Sequence, residues 1–304
     1  MLYNNISQIG EKRSVQLEKL PLFEDNVEPE ETLEQAAKNR KRANDLDGAA
    51  WTRNSISIWS DIRKTKEEAD LGHPAIFPAQ LVTRLIESFT RKDERIVLDP
   101  FSGSGSTVVA ASRMGRVGLG FEINPYYVEV SKRRIGQRNL WQPEADTEST
   151  IYQDDARHAR QYIAAESVDI VITSPPYWDI LSQKRTADGK DIRDYGDTTQ
   201  DLGKIADYHE FIDQLEEVFH PVYEVMRPEK YCFVVVMDLR KKNQFFSFHT
   251  DIAQMMERVG FIYDDLIIWD RRHEYNNLRP LGYPSVFRVN KCHEYILIFQ
   301  KPAK

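Results

Sequence analysis

Val168-Asp169-Ile170-Val171-Ile172-Thr173-Ser174-Pro175-Pro176-Tyr177-Trp178 opens with a short β-branched apolar run and ends on two prolines. The run has the length and composition of a strand buried on both faces. Pro175 and Pro176 can neither donate to a ladder nor continue into a helix interior, so the chain must leave the sheet there extended and stiff. Such a loop holds the carbonyl of Pro175 and the ring of Tyr177 over the sheet edge at little further entropic cost. Taken alone, residues 173–178 suit an ordinary strand-ending turn with an aromatic packed beside it equally well.

The surrounding sequence places this strand within a regular alternation. Amphipathic or apolar helices are predicted at 78–89, 107–114, 125–135, 156–165, 208–226 and 249–259. Short apolar strands are predicted at 95–99, 117–122, 150–153, 231–237, 265–269 and 293–300. Leu81, Leu85 and Phe89 share one face of the first helix, and Pro78 suits its first turn. Strands that alternate with helices imply a mostly parallel sheet covered on both faces, hence an α/β, Rossmann-like doubly wound domain over 71–304. Residues 1–70 read as an N-terminal extension, mainly helical, with a charge-rich helix near Glu30 to Ala37. An alternating stretch from Trp51 to Trp59 reads as a short half-buried strand.

With 304 residues, 41% hydrophobic and 29% charged, the chain has the composition of a globular protein. It lacks an apolar run of membrane-spanning length, and Met1 to Gly10 lacks a secretion signal, so a cytoplasmic location is expected. Cys232 and Cys292 fall in or beside apolar runs without partner spacing and read as reduced, structural residues; no metal site is expected. The net charge of −7 argues against indiscriminate polyanion binding but leaves room for a local basic cleft.

In a doubly wound sheet, ligands lie outside the carboxyl ends of the strands. The first of those ends carries Asp99-Pro100-Phe101-Ser102-Gly103-Ser104-Gly105-Ser106-Thr107. Gly103 and Gly105 let a ligand approach the backbone, and the helix that follows offers unpaired N–H groups to a carboxylate. The second ends at Glu122, an acid placed to accept ribose hydroxyl protons, and the third at Asp154-Asp155-Ala156, where a carboxylate can accept from an exocyclic amine. A nucleoside carrying an amino acid fits this set better than a dinucleotide, because a third glycine and a P-loop lysine are both missing.

Together, residues 99–105, Phe121-Glu122-Ile123-Asn124 and 173–178 resemble the exocyclic-amino DNA methyltransferases that use S-adenosylmethionine, over roughly His73 to Lys301. His73-Pro74-Ala75-Ile76-Phe77-Pro78 is similar to the segment that precedes the family's cofactor strand. His293-Glu294-Tyr295-Ile296-Leu297-Ile298-Phe299 is similar to its final antiparallel strand. The resemblance implies that Phe77, Pro78, Asp99, Pro100, Phe101, Gly103, Gly105, Ser106, Glu122, Ile123, Asp154, Asp155 and Ala156 hold the cofactor. It implies that Ser174, Pro175, Pro176 and Tyr177 form the catalytic loop, with Ser174 and the Pro175 carbonyl accepting the two amino protons and Tyr177 stacking on a flipped base. It further implies double-stranded DNA as substrate and admits a cognate restriction nuclease as partner. Serine in the first loop position resembles the cytosine-N4 branch more than the adenine-N6 branch. An RNA or protein amide methyltransferase and a non-catalytic nucleic-acid-binding module are the more distant alternatives. DNA contacts are expected from the inserts near 179–207 and 270–292 and the end of the fifth strand, through Lys184, Arg185, Arg240, Arg271, Arg272, Asn276 and Arg279.

Overall fold

The computed structural model describes residues 42–66, 68, 78–136, 149–178, 201–275, 278 and 280–304. The helix expected near Glu30 to Ala37, Phe77, Lys184, Arg185, Asn276 and Arg279 lie outside the described residues. Residues from Arg42 to Lys304 make one compact unit.

In chain order the elements are α1 (Gly48–Asn54), β1 (Ile58–Trp59), α2 (Ala79–Phe89), β2 (Ile96–Asp99), α3 (Ser106–Arg113), β3 (Val117–Phe121), α4 (Pro125–Gly136), β4 (Thr150–Tyr152), α5 (Ala159–Tyr162) and β5 (Val168–Thr173). They continue with α6 (Tyr208–Val225), β6 (Met226–Val236), β7 (Leu239–Lys241), β8 (Gln244–Phe246), α7 (Phe248–Val259), β9 (Ile262–Asp270) and β10 (His293–Gln300). Eight strands form one sheet in the order β1-β9-β10-β6-β5-β2-β3-β4, while β7 and β8 pair as a separate antiparallel hairpin. Only β10 runs against its neighbours, and it is inserted between β6 and β9. The mostly parallel doubly wound sheet with an antiparallel final strand is therefore present.

Alternation along the strands builds the two covered faces. Val97, Ile170, Ile172, Phe233 and Val235 point to the side filled by Leu81, Val82, Leu85 and Ile86 of α2. Leu98, Val171, Cys232, Val234 and Val236 meet Phe211, Leu215 and Phe219 of α6 and Phe248 and Ile252 of α7. Each fully buried side chain of α2 contributes on the order of 1.5–3 kcal/mol, so truncating Leu85 to Ala would cost roughly 2–5 kcal/mol.

The stretch 51–59 departs from the expected strand. Asp47 caps a helix by accepting from the Ala50 amide at 2.7 Å, so the chain coils from Gly48 to Asn54 and extends only at Ile58–Trp59. Local capping outcompetes an alternation that is strand-like on paper. The two residues left extended still matter, because β1 pairs in parallel with β9 and buries Trp59 completely. The expected helix at 156–165 is likewise shortened to a 3-10 turn at Ala156–His158 followed by α5.

Candidate active site

The chain returns from β4 to β5 across β2, so the order of strands reverses at the β2–β5 seam. At the carboxyl end of that seam Thr173 donates its hydroxyl to Asp99 at 2.7 Å, tying together the strand ends before the glycine loop and the proline loop. Burial pushes the Asp99 carboxyl up to about 6, against the hydrogen bonds from Thr173 and the Phe101 amide.

Pro100, Phe101 and the glycine loop follow. Gly103 and Gly105 have φ of 52° and 78°, and Gly105 caps α3 with no side-chain oxygen. The amides of the first turn of α3 therefore lack an intrahelical acceptor. Any Cβ at Gly105 would sit 2.8 Å from Ser131 of α4, so glycine is required for conformation and for space. Ser131 donates to the Gly103 carbonyl at 2.9 Å. The buried Arg134 donates to the Ser104 carbonyl, and its guanidinium lies 3.4 Å from the Ser106 hydroxyl. The loop is thus clamped from beneath by α4. Ser102 packs against the backbone of Gly120, and its buried hydroxyl has no hydrogen-bond partner among the described residues.

Glu122 sits just past β3. It accepts from the Asn124 amide at 2.7 Å and from the Gly103 amide. Burial, helped by the negative charges of Asp99 and Asp201, pushes its carboxyl up to about 7. Ile123 is half-buried beside it. Past β4, Asp154 accepts from the Asp155 amide at 2.8 Å and the Tyr162 hydroxyl at 2.7 Å and lies 2.9 Å from His158 Nδ1. Burial opposes ionisation of Asp154, and those hydrogen bonds outweigh it and hold the carboxyl below its usual range. Asp155 is buried, caps the turn that opens with Ala156, and is paired with Arg157 at 2.7 Å. Of the two acids, Asp154 is therefore the less enclosed by its own chain. Pro78, the buried residue before α2, packs outside these contacts.

In the proline loop Ser174 donates its hydroxyl to the Val235 carbonyl at 3.0 Å. That bond consumes the only proton of Ser174 and leaves its oxygen an acceptor. Tyr177 is half-buried, its hydroxyl 3.3 Å from Glu294 Oε2 and its ring edge-on to Phe248. Burial pushes its phenol well above the ordinary range. Trp178 takes a φ of 49° and packs edge-to-face on Tyr208 and Phe246, with the Lys241 ammonium 3.9 Å above its ring.

The expected DNA contacts separate into two kinds. Arg271 is committed within the protein: it is ion-paired to Glu294 and Glu274 and lies over Trp269. Burial opposes its charge, yet the two carboxylates win and hold it well above the usual range. Arg272 is exposed and paired with Asp270 at 2.6 Å, and Arg240 is exposed on the β7–β8 hairpin. Among the described residues there is no cluster of acids, histidines or cysteines suited to a metal ion, and no helix long and apolar enough to cross a membrane.

Three participants escaped the sequence reading. In the sequence Thr173 opens the proline-loop motif, Arg134 lies in the helix expected at 125–135 and Glu294 in the closing strand, each without a role of its own. The available signal was an acid (Glu294) at the head of the apolar run Tyr295 to Phe299, a position that folds into a buried strand and asks for a partner there.

The family model for N6/N4 DNA methylases matches residues 12–133 and 168–304 of this chain. The chain therefore belongs to that family, the S-adenosylmethionine-dependent methyltransferases of exocyclic amino groups. Among individual relatives, the Type II beta methyltransferase M.BslI of Bacillus sp. (strain NEB-606) is 38% identical over 86 residues, covering 28% of this chain and 9% of that protein. The Type II methyltransferase M.HindIII of Haemophilus influenzae is 35% identical over 99 residues, covering 29% of this chain and 31% of its own. The matched stretches thus span a third or less of these relatives' lengths. TTHA0409 of Thermus thermophilus, solved with S-adenosyl-L-methionine, is 28% identical and covers 49% of this chain and 54% of its own at a TM-score of 0.36.

Proposed function

We propose that the protein transfers a methyl group from S-adenosylmethionine to the N4 amino group of cytosine in double-stranded DNA. The observation that carries this reading is the Ser174 hydroxyl, a neutral acceptor because its proton is already given to Val235. It stands beside the Pro175 carbonyl on a loop that Thr173 ties to the glycine loop through Asp99.

The residues present fit the cofactor. Glu122 is a half-buried carboxyl with few donors of its own, the state that paired ribose hydroxyls would relieve. Asp154, the less enclosed of the two acids, is the residue we assign to the adenine amine, with Asp155 and Ala156 in the turn that follows it. The Ser106 amide at the head of α3 is offered to the methionine carboxylate, Gly103 and Gly105 let it approach the backbone, Pro78, Asp99, Pro100, Phe101 and Ile123 are assigned to the approach, and Phe77 is assigned on the resemblance. The cofactor supplies an electrophilic methyl group on a sulfonium.

The chain's own task is to make an aromatic amine nucleophilic. The lone pair of such an amine is delocalised into the ring. Two acceptors set outside the ring plane, Ser174 Oγ and the Pro175 carbonyl, favour a pyramidal nitrogen, and their hydrogen bonds strengthen as the transition state forms. Pro176 stiffens the loop so that the acceptors are placed in advance. Stacking on Tyr177 returns roughly 1–3 kcal/mol toward the few kcal/mol that extrusion of the base costs. Arg240 and Arg272 contact the duplex, and the relatives' membership of Type II systems makes a cognate nuclease a natural partner. Incubation with duplex DNA and labelled S-adenosylmethionine, followed by digestion to nucleosides, is expected to yield N4-methylcytosine. N6-methyladenine in its place would move the target to adenine, and label in neither nucleoside would overturn the reading.

A further inference from the structure

The chain carries a net charge of −7, yet the sequence from Leu239 to Thr250 and from Tyr275 to Cys292 contains no Asp or Glu. The structure brings these two acid-free stretches together. Arg288 reaches Asn243 of the hairpin at 3.5 Å, and the Lys291 ammonium lies 4.7 Å from the centre of the Phe245 ring, over which Arg240 also lies at 5.4 Å. At its other edge the hairpin touches the proposed catalytic loop, through Lys241 on Trp178. The result is a basic surface that reaches Trp178, the residue after Tyr177 in the proposed catalytic loop.

The same surface is unusually apolar at its tip. Of the twelve exposed large hydrophobic side chains among the described residues, six are Phe245, Leu278, Tyr283, Val286, Phe287 and Val289, so the exposure is concentrated here. Phe287 is 94% exposed and stands just past a tight turn in which the Ser285 and Val286 amides both donate to the Gly282 carbonyl at 2.9 and 2.8 Å. Gly282 has φ of 77°, which a side chain would strain. A rigid turn that holds an aromatic ring out in water, flanked by Arg288 and Lys291, is costly unless something apolar and anionic receives it. A base stack between phosphates is both.

We propose that Phe287 is a wedge that enters the duplex and fills the gap left by the extruded target base, while Arg240, Arg288 and Lys291 hold the flanking phosphates. This rests on the reading of the protein as a DNA methyltransferase and adds the element that keeps the emptied stack from closing. It predicts a dependence on base pairing that Tyr177, which meets the base after extrusion, does not supply.

The test uses the full chain and a duplex oligonucleotide containing the site at which wild-type protein modifies genomic DNA, in paired form and with a mismatch at the target base. Phe287→Ala is expected to transfer methyl about tenfold more slowly on the paired duplex. On the mismatched duplex, where extrusion is already cheap, it is expected to stay within about twofold of wild type. Phe287→Trp is expected to keep near wild-type rates on both, and thermal unfolding of Phe287→Ala is expected to be unchanged because the ring touches solvent. Equal loss on both duplexes, or loss on neither, overturns the wedge. So does a shift from dimer to monomer in sedimentation with intact transfer, which would assign the patch to a second copy of the chain. Wild-type protein that labels no DNA at all would instead sink the methyltransferase reading itself.

Discussion

The two sides of the β2–β5 seam are built on opposite electrostatic plans. On the side of β2, β3 and β4, the carboxyls of Asp99 and Glu122 are pushed up to about 6 and about 7 by burial with no cation paired to them among the described residues, and only Asp155, past β4, is met by a base, Arg157. On the side of β6, β9 and β10, the buried acids are met by a base: Glu294 by Arg271, Asp270 by Arg272, and Asp238 by His249 at 2.6 Å. On the first side Glu122 is the less enclosed carboxyl, the one a ligand with hydrogen-bond donors would reach. On the second, Ser174 and Tyr177 are hydrogen-bonded to Val235 and Glu294. An open, unsatisfied half suits a reagent that enters and leaves each turnover, and a locked half suits groups that must be in place before the target arrives.

The largest expected effect lies in the locked half. Ser174→Ala removes the acceptor proposed for the target amino group and should lower methyl transfer about 10²–10³-fold at saturating cofactor, read as single-turnover rates on duplex DNA. Ser174→Asp, which restores an acceptor, should recover part of that loss, and full activity in the alanine variant would remove serine from the chemistry.

Next comes the lock itself. Arg271→Met leaves Glu294 buried without its cation and should cost about 2–4 kcal/mol of stability in urea unfolding. Adding Glu294→Gln should return part of it, because the stranded charge goes with it. Equal stability of wild type and single variant would mean that the pair closes nothing.

The open half responds to pH instead. The folded protein retains a proton on Glu122 between about 4.5 and about 7 that the unfolded chain has lost, so this group's contribution to stability falls as pH rises through that window. Glu122→Gln should therefore be more stable than wild type at pH 8, by on the order of 1–3 kcal/mol. The two should converge below pH 4.5 in thermal unfolding. Cofactor affinity of wild type should rise with pH through about 7, since hydroxyl donors favour the carboxylate, and the variant should lose that rise. The smallest effect is expected at the rim. Arg272→Ala should reduce the salt slope of DNA binding by roughly one unit and leave single-turnover transfer nearly unchanged.

How far the sequence announced this division depends on how local each signal is. The proline loop, the two glycines and the acids at the strand ends were legible because Pro, Gly and a carboxylate each impose a backbone or charge requirement that needs no knowledge of the fold. The sheet was legible for a similar reason, since the runs at β5 and β6 are apolar on both faces. The helix at Gly48–Asn54 was not, because one Asp47 cap decides between two conformations of near-equal propensity. Nor was the β7–β8 hairpin, whose turn passes through Lys242 at a φ of 54°, a residue type with no turn signature. Arg271 read as a free basic side chain, and only the arrival of Glu294 from β10, 23 residues later, shows that it is spent inside the molecule. Partnerships across such separations are written in the tertiary structure.

The division of labour is tested most directly by crossing Glu122→Gln and Ser174→Ala with two readouts, the dissociation constant for S-adenosylmethionine and the single-turnover rate of methyl transfer at saturating cofactor. Glu122→Gln is predicted to weaken cofactor binding at pH 8 and keep most of the rate, while Ser174→Ala keeps the affinity and loses the rate. A Ser174→Ala protein that binds cofactor poorly, or a Glu122→Gln protein whose rate falls at full occupancy, would contradict the separation of the two halves.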